Sequence, residues 1–226
     1  MDWTTFTHSL LSMQTPALPL PGAMRLYLAL SWALVLAALG LWLLQRWVPQ
    51  SKPLWRWAVP AALALWSVWP GPLSLAYWLG LAFQAPSLLS TVLCGLFVLR
   101  QFRPAVSSPE RCDAPWYFGV VGIVLGWLLL LDTFALWPVS LYALGFSPAA
   151  LAVVALVACL PWLLAGPRQS ARKVSLLLVG VVLLLQVLLR LPTGNLWDAL
   201  LDPWLWIVLQ LEGLQRGLRR FRGSQS

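Results

Sequence analysis

Apolar residues run along this chain in blocks long enough to cross a bilayer, and the polar residues gather in short stretches between them. Leu26 to Leu44 carries no charge and stops at Gln45-Arg46. A helix needs about 20 apolar residues to cross a hydrocarbon layer of roughly 30 Å, so this block predicts a first span. Residues 57–99 are again uncharged, between Arg56 and Arg100. From Trp116 to Trp137 the single charge is Asp132, and a further span is expected there. The next block opens at Ser147-Pro148, where Ser suits a helix cap and Pro its first position. It closes at Gly166-Pro167, where Gly permits a left-handed cap and Pro cannot continue the helix. Val174 to Leu191 predicts another crossing.

Two segments are less regular. Both flanks of residues 57–99 are basic, so that stretch crosses an even number of times or re-enters. Two breaks compete for its outer turn, Pro70-Gly71-Pro72 and Gln84-Ala85-Pro86-Ser87. Proline lacks an amide donor and disfavours helical conformation in the residue before it, so Pro-Gly-Pro is the stronger stop. The expectation is a short span from about Pro53 to Trp69, with Arg56 snorkelling, then a long one kinked near Pro86; a re-entrant segment is the alternative. Near the C-terminus, Asn195 with Asp198 three residues on resembles a capping pair, and Asp202-Pro203 a second cap with its first helical position. Beyond Pro203 the chain is apolar to Leu209 and then amphipathic. Ile207, Leu211, Leu214, Leu218 and Phe221 share one helical face, with Glu212, Arg216, Arg219 and Arg220 elsewhere. This predicts a seventh, tilted span over 203–215 that emerges as a basic interfacial helix to residue 222.

Charge sets the orientation. All Lys and Arg except Arg25 and Arg190 lie in four groups: Arg46/Lys52/Arg56, Arg100/Arg103/Arg111, Arg168/Arg172/Lys173 and Arg216/Arg219/Arg220/Arg222. By the positive-inside rule these loops share the cytoplasmic side, which puts the N-terminus outside and the C-terminus inside. The fold class expected is therefore all-α: a polytopic transmembrane bundle of about seven spans with one Pro-broken or re-entrant segment. Residues 1–226 form a single integral membrane domain, residues 1–24 its polar tail and residues 203–222 its last span and basic helix. The tail holds no Lys or Arg, unlike a cleavable signal.

Composition agrees. The 226 residues are 60% apolar and 10% charged, with mean hydropathy +0.79, far from the roughly 45–50% and 25% of soluble domains. The net charge of +8 lies in short inter-span loops, so topology control explains it without nucleic acid. Anionic headgroups are the expected electrostatic partner. Cys94, Cys112 and Cys159 make no CxxC pair and predict no disulfide framework. Trp47, Trp55, Trp57 and Trp116 flank basic loops, while Trp137, Trp197, Trp204 and Trp206 are expected to mark the opposite interface.

Little catalytic chemistry is legible. His8 is the one histidine and has no ligand-spaced Cys or carboxylate beside it, so neither metal nor cofactor is expected. Phosphate-cradling and nucleophile-elbow motifs are absent. The best candidate is a cluster of ionisable groups toward the outer face: Asp132, Arg190, Asp198, Asp202 and Arg25. Charges within spans are costly and tend to be paired or functional, so an Asp132–Arg190 ion pair is one expectation. The other is that the arginines snorkel and the loop acids cap helices. Gln84 and Gln186 are polar groups at depth, suited to bonds between helices. Gly119, Gly122 and Gly126 lie close together on one helix and would let another approach. Arg216, Arg219, Arg220 and Arg222 suit anionic lipid. The role expected is a non-catalytic accessory, assembly or structural subunit of a membrane complex, with a membrane-protein partner, in a bacterial inner membrane. A small transporter or channel-like protein comes second, and an enzyme on a lipid-linked substrate at the outer face third.

Overall fold

A computed structural model describes residues 18–49, 53–102, 116–136, 138, 140–165 and 170–223. It is all-helical, with no strand among the described residues. The helices are α1 (Pro21–Trp47), α2 (Pro53–Val68), α3 (Leu75–Phe83), α4 (Leu88–Phe102), α5 (Trp116–Thr133), α6 (Leu141–Leu144), α7 (Pro148–Ala165), α8 (Ser170–Leu189), α9 (Leu196–Leu200) and α10 (Pro203–Gly223).

Helix α1 is the central post of the N-terminal half. Pro21 starts it, where a missing amide donor costs nothing. It begins ahead of the expected Leu26, so residues 21–24 are helical, not tail, and Arg25 lies within its second turn. Its neighbours pack closely: a methyl at Gly40 would stand 2.9 Å from Leu63, and one at Gly80 would stand 2.8 Å from Leu28.

The break between α2 and α4 departs from expectation. Both candidate interruptions are real, and α3 is a separate nine-residue helix between them, too short to cross alone at 1.5 Å per residue. Gln84–Ser87 is a full break, with Gln84 at φ 62°. The tyrosine of α1 and the acid before α10 hold this break at the end of the bundle where α4 begins. Since Gly40 faces Pro60 and Leu63, the last turn of α2 stops about 8–12 Å short of Tyr27. Pro-Gly-Pro therefore interrupts an outgoing leg made of α2 and α3, and Gln84–Ser87 is the return turn. Proline strength alone misassigned the two.

The basic helix ends gather opposite that turn. Gln45 Nε2 donates to Gln101 Oε1 at 3.0 Å, and Trp57 stacks on Phe102 at 4.1 Å, which brings Arg46, Arg56 and Arg100 to one end. Helix α10 starts beside the start of α4, so Arg216 lies at this arginine end too. The opposite, capped end is closed by α6, α9 and the Gln84–Ser87 turn. The buried core lies there, around Leu88, Val182, Leu191, Leu196 and Trp197.

Helix α5 ends four residues before the expected Trp137. Its amides fold back, Ala135 N–H to Asp132 C=O and Leu136 N–H to Leu131 C=O, with Ala135 at φ 53°. That is a Schellman ending, and it puts Asp132 in the last turn instead of five residues inside a span.

The outward helix faces are apolar: Leu65, Leu177 and Leu188 are 72%, 69% and 67% exposed. Of the seven expected spans, α1 alone among the described residues is both long and apolar enough to cross a membrane by length and composition. Shorter apolar helical stretches are Leu88–Phe102, Tyr117–Thr133, Pro148–Leu160 and Leu176–Leu189. The aromatic-belt expectation fails at Trp197, which is a core residue, and Trp206 packs on α5. Trp137 lies outside the described residues.

A left-handed alanine carries about 1–2 kcal/mol of strain that glycine avoids. Ala135→Gly is expected to raise the unfolding free energy by about 0.5–1 kcal/mol in a denaturant titration of the purified protein. An unchanged or lower midpoint would count against the Schellman ending.

Candidate functional site

The polar residues of the capped end form two networks. The first closes the Gln84–Ser87 turn. Tyr27 hydroxyl donates to Pro86 C=O at 2.7 Å and lies 3.0 Å from the Thr91 hydroxyl. The Trp32 indole donates to Gln84 C=O at 2.9 Å. Asp202 joins two helices: one carboxylate oxygen accepts Ser87 N–H at 2.9 Å and the other Leu205 N–H at 2.7 Å. Those amides stand at the starts of α4 and α10, where unsatisfied N–H groups and the helix dipole favour a negative charge. Ser87 Oγ completes the start of α4 by accepting Ser90 N–H.

The second network binds the loop before α7 to the loop after α8. Asp132 accepts Tyr142 N–H at 2.7 Å and faces Ser140 Oγ at 3.4 Å. The Tyr142 hydroxyl donates to Asp198 at 2.7 Å, and Thr193 Oγ1 donates to the same oxygen. Asn195 works in two directions, donating to Tyr142 C=O and capping α9 by accepting Trp197 N–H. Trp197 Nε1 donates to Leu141 C=O, and Leu196 N–H to Gly145 C=O. The loops approach so closely that a methyl on Gly145 would collide with Asn195 and the Trp197 indole. From α8, Gln186 Nε2 donates to Gly194 C=O at 3.1 Å, with the side chain 1% exposed. Burial, then the hydrogen bond to Asp198, pushes the Tyr142 phenol up to about 12.

The expected ionisable residues thus lie toward one end, with the three acids held by hydrogen bonds. Among the described residues the one ion pair is Arg216–Glu212 at 3.5 Å, so the expected Asp132–Arg190 pair does not form. Asp132 instead turns to the start of α6. Arg190 ends α8 with φ 57°, its N–H on Gln186 C=O. Asp132 and Asp198 meet through Tyr142, and Asp202 belongs to the other network. Arg25 shares the lining of a cavity of about 270 Å³ with Gln84 and Thr193. Asn195 caps as expected, whereas Asp198 reaches sideways instead of back to it. Gln84 is engaged through its backbone, with its side chain exposed. Sequence reasoning missed Tyr27, Ser87, Tyr142 and Thr193. Pro86-Ser87 followed by Ser90 is a legible capping signal; Tyr27 and Tyr142 carry none, because their partners lie far along the chain, whereas Thr193 has local partners in Asn195 and Asp198.

The glycines on α5 do receive a helix. A methyl at Gly122 would stand 2.7 Å from Leu209, and one at Gly126 would overlap the Trp206 indole, which donates to Ile123 C=O at 3.2 Å. Gly119 is buried and lines an apolar cavity of about 370 Å³ between α5 and α10 on one side and α4, α7 and α8 on the other. Arg219 is exposed at the end of α10; the side chains of Arg220 and Arg222 lie outside the described residues. His8 and Cys112 lie outside them altogether. Among the described residues no three His, Cys, Asp or Glu side chains group closely enough to hold a metal ion.

No family model, curated protein or solved structure matches the chain.

Two outcomes follow. Asp202→Ala removes both caps and is expected to cost about 2–4 kcal/mol; Asp202→Asn, with one accepting oxygen, is expected to cost about half as much. Equal losses in denaturant titrations would contradict the double cap. For Tyr142, the folded state holds its proton more tightly than the unfolded chain does. That stability is complete below about pH 10 and lost as pH rises toward 12. Melting temperature should fall less steeply across that interval in Tyr142→Phe than in the parent; parallel curves would exclude it.

Proposed function

We propose that the protein is an integral membrane protein of seven crossings that serves as a non-catalytic accessory or assembly subunit of a membrane complex. The crossings would be α1, the broken pair α2–α3, α4, α5, α7, α8 and α10, with the arginine end in the cytoplasm and the capped end outside. The apolar outward faces support the bilayer, since water would not tolerate leucines exposed on every side. Clustering of Arg46, Arg56, Arg100 and Arg216 at one end supports the orientation. A bacterial inner membrane suits the short loops, and anionic lipid suits Arg216 and Arg219.

The observation that carries the subunit reading is the employment of the acids. All four described carboxylates are engaged in holding the protein together: Asp132 and Asp202 on helix-start amides, Asp198 on two hydroxyls, Glu212 on Arg216. An outer-face enzyme would draw its general acid or base from these groups. The broken crossing is the best feature for a transporter, because freed carbonyls can line a path. Those of Gln84 and Pro86 already accept from Trp32 and Tyr27.

Purification from native membranes in mild detergent tests the role: a membrane protein should accompany this chain in fixed stoichiometry, and its recovery alone would overturn the subunit reading. Orientation is read separately with a membrane-impermeant thiol reagent. It should miss native Cys112 in intact cells and label it once they are opened.

A further inference from the structure

The cavity between α5–α10 and α4–α7–α8 is apolar over almost its whole height and charged at one end. Leu93, Val154, Val179 and Leu209 stand on its walls. Its roof at the capped end is Trp197 and Leu200, 8% and 9% exposed. Its floor is the Glu212–Arg216 pair, whose side chains are 52% and 44% exposed. It is therefore closed toward the cap and accessible from the arginine end.

We propose that this cavity holds one acyl chain of an anionic phospholipid drawn from the leaflet at the arginine end, with its phosphate against Arg216. The inference rests on the membrane reading above and is independent of any protein partner. Three features select this occupant. The first is size: about 370 Å³ falls in the range of ligand sites, about 300–1,000 Å³. A helix, about 10–12 Å across with its side chains, does not fit. The second is depth: from Leu205 to Arg216 helix α10 rises about 16 Å, close to half of a roughly 30 Å hydrocarbon layer. A chain entering beside Arg216 thus ends under Trp197 with its headgroup at the interface. The third is chemistry. Water would find almost no polar partner on these walls, whereas methylenes regain the dispersion contacts that an apolar void forfeits. At the mouth stands the Arg216 guanidinium, 3.5 Å from the Glu212 carboxylate, a cationic group whose planar shape suits a phosphate. Arg219, on the same exposed helix end, adds positive charge that favours an anionic headgroup over a zwitterionic one.

The experiment uses the full chain reconstituted into phosphatidylcholine vesicles containing a trace of phosphatidylglycerol with a photoreactive group near the end of one acyl chain. After illumination, labelled residues are located by peptide mass. Label is expected at about one per chain on Leu93, Val154 or Val179, and excess unlabelled phosphatidylglycerol should suppress it at least several-fold better than phosphatidylcholine. Arg216→Gln should lower labelling several-fold, and Ala158→Phe, which fills the cavity wall, should abolish it. Label confined to outward-facing Leu156, Leu177 and Leu184 would overturn the proposal, as would equal competition by the two lipids. The labelling pattern of the unaltered chain decides the matter even where a variant fails to fold. Failure of the membrane reading itself would show differently, as protein that does not enter the vesicles.

Discussion

The Asp202 carboxylate is the contact on which the arrangement turns. It lies between two helix starts and meets an amide of each, Ser87 N–H for α4 and Leu205 N–H for α10. A helix start leaves several amides unpaired, and these are most costly where water is scarce. One buried carboxylate shared between two helix starts answers both needs and locks the broken α2–α3–α4 segment to the final helix. The Tyr27 and Trp32 bonds to the same turn then tie in α1. Three elements distant in the chain, α1, the turn into α4 and the start of α10, are joined by hydrogen bonds.

The rest of the capped end follows the same logic. The loops carrying Tyr142 and Asp198 pair their polar groups with each other: Asp132 with an amide, Asp198 with two hydroxyls, Asn195 with both loops. This polar lid, with the leucines beneath it, forms the compact part of the protein. Below this lid, α5 with α10 parts from α7 and α8 around an apolar cavity. The contrast is physical: buried hydrogen-bond groups demand specific partners, whereas apolar walls accept any hydrocarbon, from a side chain or a lipid.

Particular residues show how far the chain alone could be read. Helix starts at Pro148 and Pro203 were legible because Ser-Pro and Asp-Pro carry their own local chemistry. So was the glycine pair of α5, whose spacing fits an approaching helix, although the identity of Trp206 and Leu209 as the guests was not. The end of α5 was misplaced because the Schellman turn uses Ala135, where glycine would have signalled it. Charge and depth favour an Asp132–Arg190 pair, but a closer competitor, the amide of Tyr142, takes the carboxylate. Trp197 looked like an interfacial tryptophan because its burial depends on a loop more than fifty residues away.

What the chain determined unaided was what local periodicity and composition can carry: helices as the sole element, their approximate limits, and basic clusters at alternate helix ends. These depend on the nearest few residues and on the solvent each side chain prefers. The tertiary structure alone decided which of two proline breaks turns the chain, which acids serve which amides, and where helices part to leave a cavity. Those outcomes depend on competition among groups remote in sequence, and such competition is settled only when the helices are side by side.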